Sequence, residues 1–153
     1  MNLKMYVFVT GKVMIILGAL MLIPVITGLI YQEYDNVLVY IITAAFSLIA
    51  GFLMSLKKPS YTKIFLKDSL VITALSWIVM SLIGCIPFIM TGEIPSFTNA
   101  MFETVSGFTT TGASILSNVE GLSHISLLWR SLTHWIGGMG VLVFLLAVVP
   151  MAG

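Results

Sequence analysis

A chain of 153 residues that is 59% hydrophobic and only 8% charged has too few charges to build a water-facing surface, since soluble domains carry about 25% charged residues. The net charge of +1 leaves no strong electrostatic footprint for nucleic acid, and the single cysteine, Cys85, permits no internal disulfide and lacks the spacing of a metal site. Lipid is the solvent that fits so much apolar surface, and the expected fold class is an all-α integral membrane protein. Cys85 is read as a small packing residue.

A bilayer core about 30 Å thick requires roughly 20 apolar residues in a helix. The first segment to meet this is Val13–Tyr31. Lys4 and Lys12 precede it as they would precede a signal peptide, but the apolar stretch is too long and no small-x-small cleavage site follows cleanly, so a retained helix is expected. Val37–Leu56 is the second span and Ser69–Met90 the third. Gly84 and Pro87 predict local bending near the outer end of the third. The fourth, Ser126–Pro150, holds Arg130 and His134 near its start. Prolines 24, 87 and 150 lie in or at the ends of spans, where membrane helices tolerate them. Sustained apolar runs without alternation argue against a barrel.

The loops predict an orientation. The N-terminus carries Lys4 and Lys12, the loop at Gln32–Asn36 carries Glu33 and Asp35 without a base, and the next carries Lys57, Lys58, Lys63 and Lys67 against Asp68. From Thr91 to Ile125 there are Glu93, Glu103 and Glu120 and neither Lys nor Arg. Basic loops stay cytoplasmic, so the N-terminus and the lysine-rich loop are expected inside and the Thr91–Ile125 stretch outside. The lysine cluster is mainly a topology determinant, with binding to anionic lipid a secondary role.

That outer stretch does not read as an ordinary loop. Phe97, Ala100, Met101, Val105 and Phe108 recur at helical spacing, and Ser96 is a favourable N-cap. The pattern stops at Thr109-Thr110-Thr111-Gly112-Ala113-Ser114. Consecutive β-branched residues favour extended backbone, and Gly112 opens conformations closed to other residues. A short helix followed by an extended segment between two spans is a re-entrant hairpin. Irregular backbone survives at membrane depth only where it lines water or is buried in protein. A row of carbonyl oxygens there can replace the hydration shell of a cation, and the C-terminal end of the short helix favours positive charge. The absence of a carboxylate within Thr109–Ser114 argues for a monovalent cation over calcium.

The run from Phe97 to Ser114, FTNAMFETVSGFTTTGAS, closely resembles the first pore loop of the TrkH-type potassium uptake proteins of bacteria (the Trk/Ktr/HKT superfamily), and Leu128–Gly140, LWRSLTHWIGGMG, is similar to that family's signature at the start of the following helix. The resemblance implies two leading helices at 1–68, with the lysine-rich cytoplasmic loop, and one helix–pore loop–helix repeat at 69–153, with the pore loop at about 96–114. It implies potassium transport across a bacterial inner membrane and no enzymatic activity or bound cofactor. The family's filter maps onto Thr110, Thr111 and Gly112, flanked by Thr109 and Ala113. Thr110 and Thr111 are the expected potassium ligands, through backbone oxygens. The family is built of four such repeats, dimerises, and is regulated by cytosolic nucleotide-binding TrkA-type subunits. Only one repeat is present here, a quarter of a four-fold ring, so a lone copy is expected not to conduct. The alternative is a truncated, non-conducting protein that associates with full-length subunits.

Arg130 is costly in lipid if unpaired. It is expected to pair with Glu103 and brace the filter, with snorkelling to the interface as the alternative. His134 is expected to hydrogen-bond within the bundle rather than to sense pH. Gly137-Gly138-Met139-Gly140 lies inside a span and follows no strand, which favours close helix packing or a hinge over a nucleotide loop. Ser114 with His134 raises the thought of a membrane hydrolase, but no third group or motif accompanies them.

Overall fold

The computed structural model describes residues 3–58 and 66–148; Lys63, Pro150 and Met151–Gly153 lie outside the described residues. Within them the chain is helical and contains no strand. The helices are α1 (Leu3–Leu20), α2 (Leu22–Ile30), α3 (Tyr34–Ser55), α4 (Leu66–Gly84), α5 (Ile86–Met90), α6 (Phe97–Phe108) and α7 (His124–Val148), with one 3-10 turn at Val119–Gly121. Three segments, Leu3–Ile30, Tyr34–Ser55 and Lys67–Met90, are long and apolar enough to cross a membrane. Helix α7 has 25 residues and a length of about 37 Å, sufficient for a fourth crossing.

The first helix begins at Leu3, ten residues before the uninterrupted apolar run, so Lys4 and Lys12 lie on the helix rather than ahead of it. The reason is packing. Met5 and Tyr6 are buried against Ile72 of α4, and the Tyr6 hydroxyl donates to Asp68 Oδ1 at 2.5 Å. Two prolines divide the long spans. The ring of Pro24 opposes the carbonyl four residues back, at Leu20, where α1 ends. Pro87 stands in the same relation to Ile83, and α4 gives way to α5 at Cys85. The Gly84 carbonyl at this break accepts a hydrogen bond from Trp129 Nε1 of α7 at 3.0 Å.

Helices α1 and α3 meet through small residues, as membrane helices without a hydrophobic drive between them do. A Cβ on Gly11 would stand 2.7 Å from the Gly51 carbonyl oxygen, and Ser47 Oγ donates to Met14 O at 2.7 Å. The main core joins Leu17 and Met21 to Tyr40, Phe88, Ala100, Phe108, Ile125 and Trp129. Trp129 is its centre, edge-on to both Tyr40 and Phe108 at 6.5 Å between ring centroids.

Candidate functional site: the re-entrant helix and its loop

Helix α6 follows Pro95 and Ser96. Ser96 occupies the N-cap position in extended backbone but makes no side-chain cap hydrogen bond. The buried face of α6 is not the apolar stripe expected from spacing. Ala100 and Phe108 are buried, but so are Glu103, Thr104, Ser106 and Gly107, whereas Phe97, Phe102 and Val105 are exposed. Close backbone approach explains the choice of face. A Cβ on Gly107 would stand 2.9 Å from Thr133 Cβ, and one on Gly137 would stand 2.7 Å from the Phe108 carbonyl carbon. Of the three glycines at 137, 138 and 140, Gly137 is therefore the packing contact; the nearest neighbour to a Cβ on Gly138 is Thr110 Cγ2 at 3.8 Å.

The loop departs from the extended run expected of three threonines. Thr109 is still near-helical (φ −87°, ψ 0°), and Thr110 turns into the left-handed region at φ +55°. Thr110 N–H donates to Gly107 O and Thr111 N–H to Ser106 O, both at 2.9 Å. This pair of bonds is a Schellman cap, with Thr110 where glycine is usual. The competing force is the need of the last α6 carbonyls for donors, which outweighs the β preference of threonine. Gly112, at φ +78°, provides the second left-handed residue, in line with the freedom expected of it.

Hydrogen bonds sort the loop carbonyls. Thr109 O accepts from Thr110 Oγ1 at 2.7 Å, and Ala113 O accepts from Ser106 Oγ at 2.5 Å. Among the described residues, the carbonyls of Thr110, Thr111 and Gly112 between them accept no hydrogen bond. The residues from Thr109 to Ser114 are all exposed.

Glu103 ties three elements together. It is 1% exposed. Its Oε1 receives Arg130 Nε at 2.6 Å, Ser114 Oγ lies 3.0 and 2.9 Å from its two oxygens, and Ile115 N–H donates to Oε2 at 3.1 Å. The structure thus brings the expected partners Arg130 and Glu103 into an ion pair, and the same carboxylate holds the C-terminal end of the loop at Ser114 and Ile115. Ser114 is engaged by Glu103 rather than by His134, whose Nδ1–H donates to Arg130 O at 3.0 Å within α7.

Residues not singled out from the sequence complete the support. Glu93 Oε1 accepts from Ser123 N–H at 2.6 Å, and its Oε2 accepts from Ser126 Oγ. Glu33 accepts from the His124 and Ile125 amides at 2.9 and 3.1 Å. Two carboxylates thereby satisfy orphan N–H groups at the start of α7, where the helix dipole favours negative charge. Tyr31 stacks on the His124 ring at 3.7 Å. Partial burial alone would raise the Glu33 carboxyl, but the two amides and the His124 ring outweigh it and hold the group below its ordinary range. The signal available in sequence for Glu33 and Glu93 was only their position in acid-bearing loops.

A bundle of membrane-length helices that folds a short helix and an irregular loop back between two spans, and leaves a row of carbonyls unpaired there, defines the class of helical membrane proteins with a re-entrant helix–loop hairpin. The comparisons place it further. The TrkH family of cation transport proteins matches residues 33–153, and the chain belongs to that family. It is 36% identical to an uncharacterised cation transporter of Methanocaldococcus jannaschii over 95% of this chain and 30% of the relative. It is 35% identical to the Trk system potassium uptake protein TrkG of Escherichia coli over 87% of this chain and 28% of the relative. The crystal structure of the potassium transporter TrkH from Vibrio parahaemolyticus superimposes with a TM-score of 0.90 at 27% identity, covering 98% of this chain and 32% of that one. The chain therefore spans about a third of the length of these relatives.

Proposed function

We propose that this chain contributes one pore-loop segment to a potassium-conducting pore, with the backbone carbonyls of Thr110 and Thr111 as potassium ligands and Thr109, Gly112 and Ala113 as the filter's flanks. The observation that carries this reading is the row of three unpaired carbonyls, Thr110 to Gly112, bounded on each side by a carbonyl already bonded within the chain. Unpaired carbonyls at membrane depth are costly unless water or an ion meets them, and a dehydrated alkali cation is the ligand that a row of neutral oxygens fits. Arg130 and Glu103 act as the brace that fixes the far end of the row. The potassium-linked names of two relatives support the choice of ion.

The remaining parts of the proposal follow the family resemblance and the charge of the loops. The protein sits in a bacterial inner membrane with its N-terminus cytoplasmic, residues 1–68 precede the pore-loop repeat at 69–153, the protein forms a homo-oligomer, and a cytosolic TrkA-type subunit regulates it. Its role is transport rather than catalysis. The exposure of Thr109–Ser114 in a single chain also favours association: the ring is completed by further pore loops, and isolated copies do not conduct.

The test is rubidium and sodium flux into vesicles containing the assembled transporter that carries this segment, with and without Gly112→Ala. At φ +78° an alanine is strained, so the variant is expected to misalign the neighbouring carbonyls and lose discrimination between the two ions. Equal selectivity in both proteins would overturn the filter assignment.

A further inference from the structure

We propose that the seam between α1 and α3, at their lysine-bearing ends, binds one anionic phospholipid, its headgroup between Lys4 and Lys57 and an acyl chain along the apolar furrow that continues from Leu53. The inference rests on the membrane reading of the fold and is independent of the potassium assignment.

The mouth of the seam is a groove of about 360 Å³ lined by Leu3, Lys4 and Val7 from α1, by Leu53 and Met54 from the end of α3, and by Lys57 just beyond it. Each side contributes a lysine and two apolar residues. Neither lysine forms an ion pair among the described residues, where the ion pairs are His124–Glu33 and Arg130–Glu103. Asp68, an acid near the start of α4, accepts the Tyr6 hydroxyl at 2.5 Å, and Tyr6 is buried against α4. The other α1 lysine, Lys12, lies 5.6 Å above the Phe8 ring. Two cations are thus left beside an apolar wall, with no acid among the residues that line the groove.

The apolar wall selects a lipid over a soluble anion. Leu3 and Leu53 are 65% and 60% exposed, surface that a free phosphate would leave uncovered. Leu53 also lines a second groove of about 330 Å³, formed with Ile15, Leu48, Ile49 and Phe52 and containing no polar side chain. From Leu48 to Ser55, the last residue of α3, the two grooves follow the helix for about 10 Å at the helical rise per residue, and the two residues on to Lys57 add a few ångströms more, roughly 3–7 Å. That length is close to one leaflet, half of a hydrocarbon core about 30 Å thick. A charged mouth at one end and a purely apolar furrow of leaflet length are the two halves of a phospholipid.

The experiment is native mass spectrometry of the detergent-purified protein titrated with phosphatidylglycerol and with phosphatidylcholine of identical acyl chains. A lysine near an anionic headgroup is worth roughly fivefold in affinity, so the pair should give a preference of about 25-fold for phosphatidylglycerol. Lys4→Gln/Lys57→Gln should abolish that preference, while Lys12→Gln and Lys67→Gln leave it in place. Leu53→Ser should weaken both lipids together. Inorganic phosphate and glycerol phosphate at millimolar concentration should fail to displace the lipid. All these lysines are exposed, so folding is not at stake. Equal affinity for the two lipids, equal loss on Lys12→Gln, or displacement by inorganic phosphate would each overturn the proposal. Failure of the filter assignment would appear instead in the flux measurement, which the lysine variants leave unchanged.

Discussion

Replacing Arg130 by Gln leaves Glu103, 1% exposed, with only neutral donors: the Ser114 hydroxyl and the Ile115 amide. A buried charge that loses its ionic partner costs about 3–5 kcal/mol. Replacing Glu103 by Gln leaves Arg130, whose side chain is 18% exposed and has a stem long enough to turn its head toward water. The cost there is smaller, about 2 kcal/mol, mainly the opposition of the new amide to Ile115 N–H or to Arg130 Nε. The double variant brings two neutral amides together, so its cost should fall short of the sum by about 1–3 kcal/mol, in the range for residues of one network. Equilibrium unfolding in mixed detergent micelles, followed by tryptophan fluorescence, measures all three. The ordering Arg130→Gln above Glu103→Gln, with non-additivity, is the expected outcome. If Glu103→Gln is the more damaging, or if the two effects simply add, Glu103 is not held by Arg130 and the brace is wrong.

Gly137→Ala should destabilise by about 2–3 kcal/mol, because its Cβ would meet the Phe108 backbone in a contact that has no flexible side chain to yield. Gly138→Ala, with its nearest neighbour at 3.8 Å, should be neutral or stabilising by up to about 1 kcal/mol; thermal unfolding of the pair in the same detergent separates them. Glu33→Gln should remove about 1 kcal/mol of capping from α7. The Glu33 carboxyl is depressed in the folded protein, so its stabilisation is complete above the ordinary glutamate range near 4.5 and lost as pH falls through the lower, folded value. Melting temperatures from neutral pH downward should therefore converge for the two proteins in acid, and a constant gap would refute the assignment.

The spans, the short helix and the point where it ends were legible because each has a strong local signal: long apolar runs, a 3.6-residue period from Phe97, and its abrupt end at three threonines; the turn the threonines then take was not, because it is set by the need of the last α6 carbonyls for donors. The lipid-like composition made helix the only economical reading. What stayed hidden depends on partners far along the chain. Nothing local marks Glu33 as the cap of a helix that starts at His124, or Trp129 as the donor to the Gly84 carbonyl at the proline break. The buried face of α6 is not the apolar stripe for a related reason. Apolar spacing assumes that burial is driven by transfer from water, but here the face is chosen by backbone approach at Gly107 and Gly137 and by a carboxylate with its own set of donors. The start of α1 was placed late because Lys4 and Lys12 interrupt the apolar run, although both point away from the buried Met5 and Tyr6 face.

Thr110 shows how these supports act together. A threonine at φ +55° gives up about 1–2 kcal/mol relative to its favoured conformations, at a position where helix ends ordinarily use glycine. Such strain persists only when the surroundings over-determine it. On the α6 side the two Schellman bonds and the Thr110 hydroxyl on Thr109 O fix the turn. On the other side Ser106 holds Ala113 O, and Glu103 holds Ser114 and Ile115. The three carbonyls between these anchors are oriented by the chain itself. If the proposed filter is right, an ion would find little ordering of the loop left to accomplish, so Thr110→Gly should stabilise the fold by about 1 kcal/mol while loosening that orientation, raising thermal stability and lowering ion discrimination in the same protein. A variant that gained stability and kept its selectivity would mean that the strain at Thr110 has no part in setting the row.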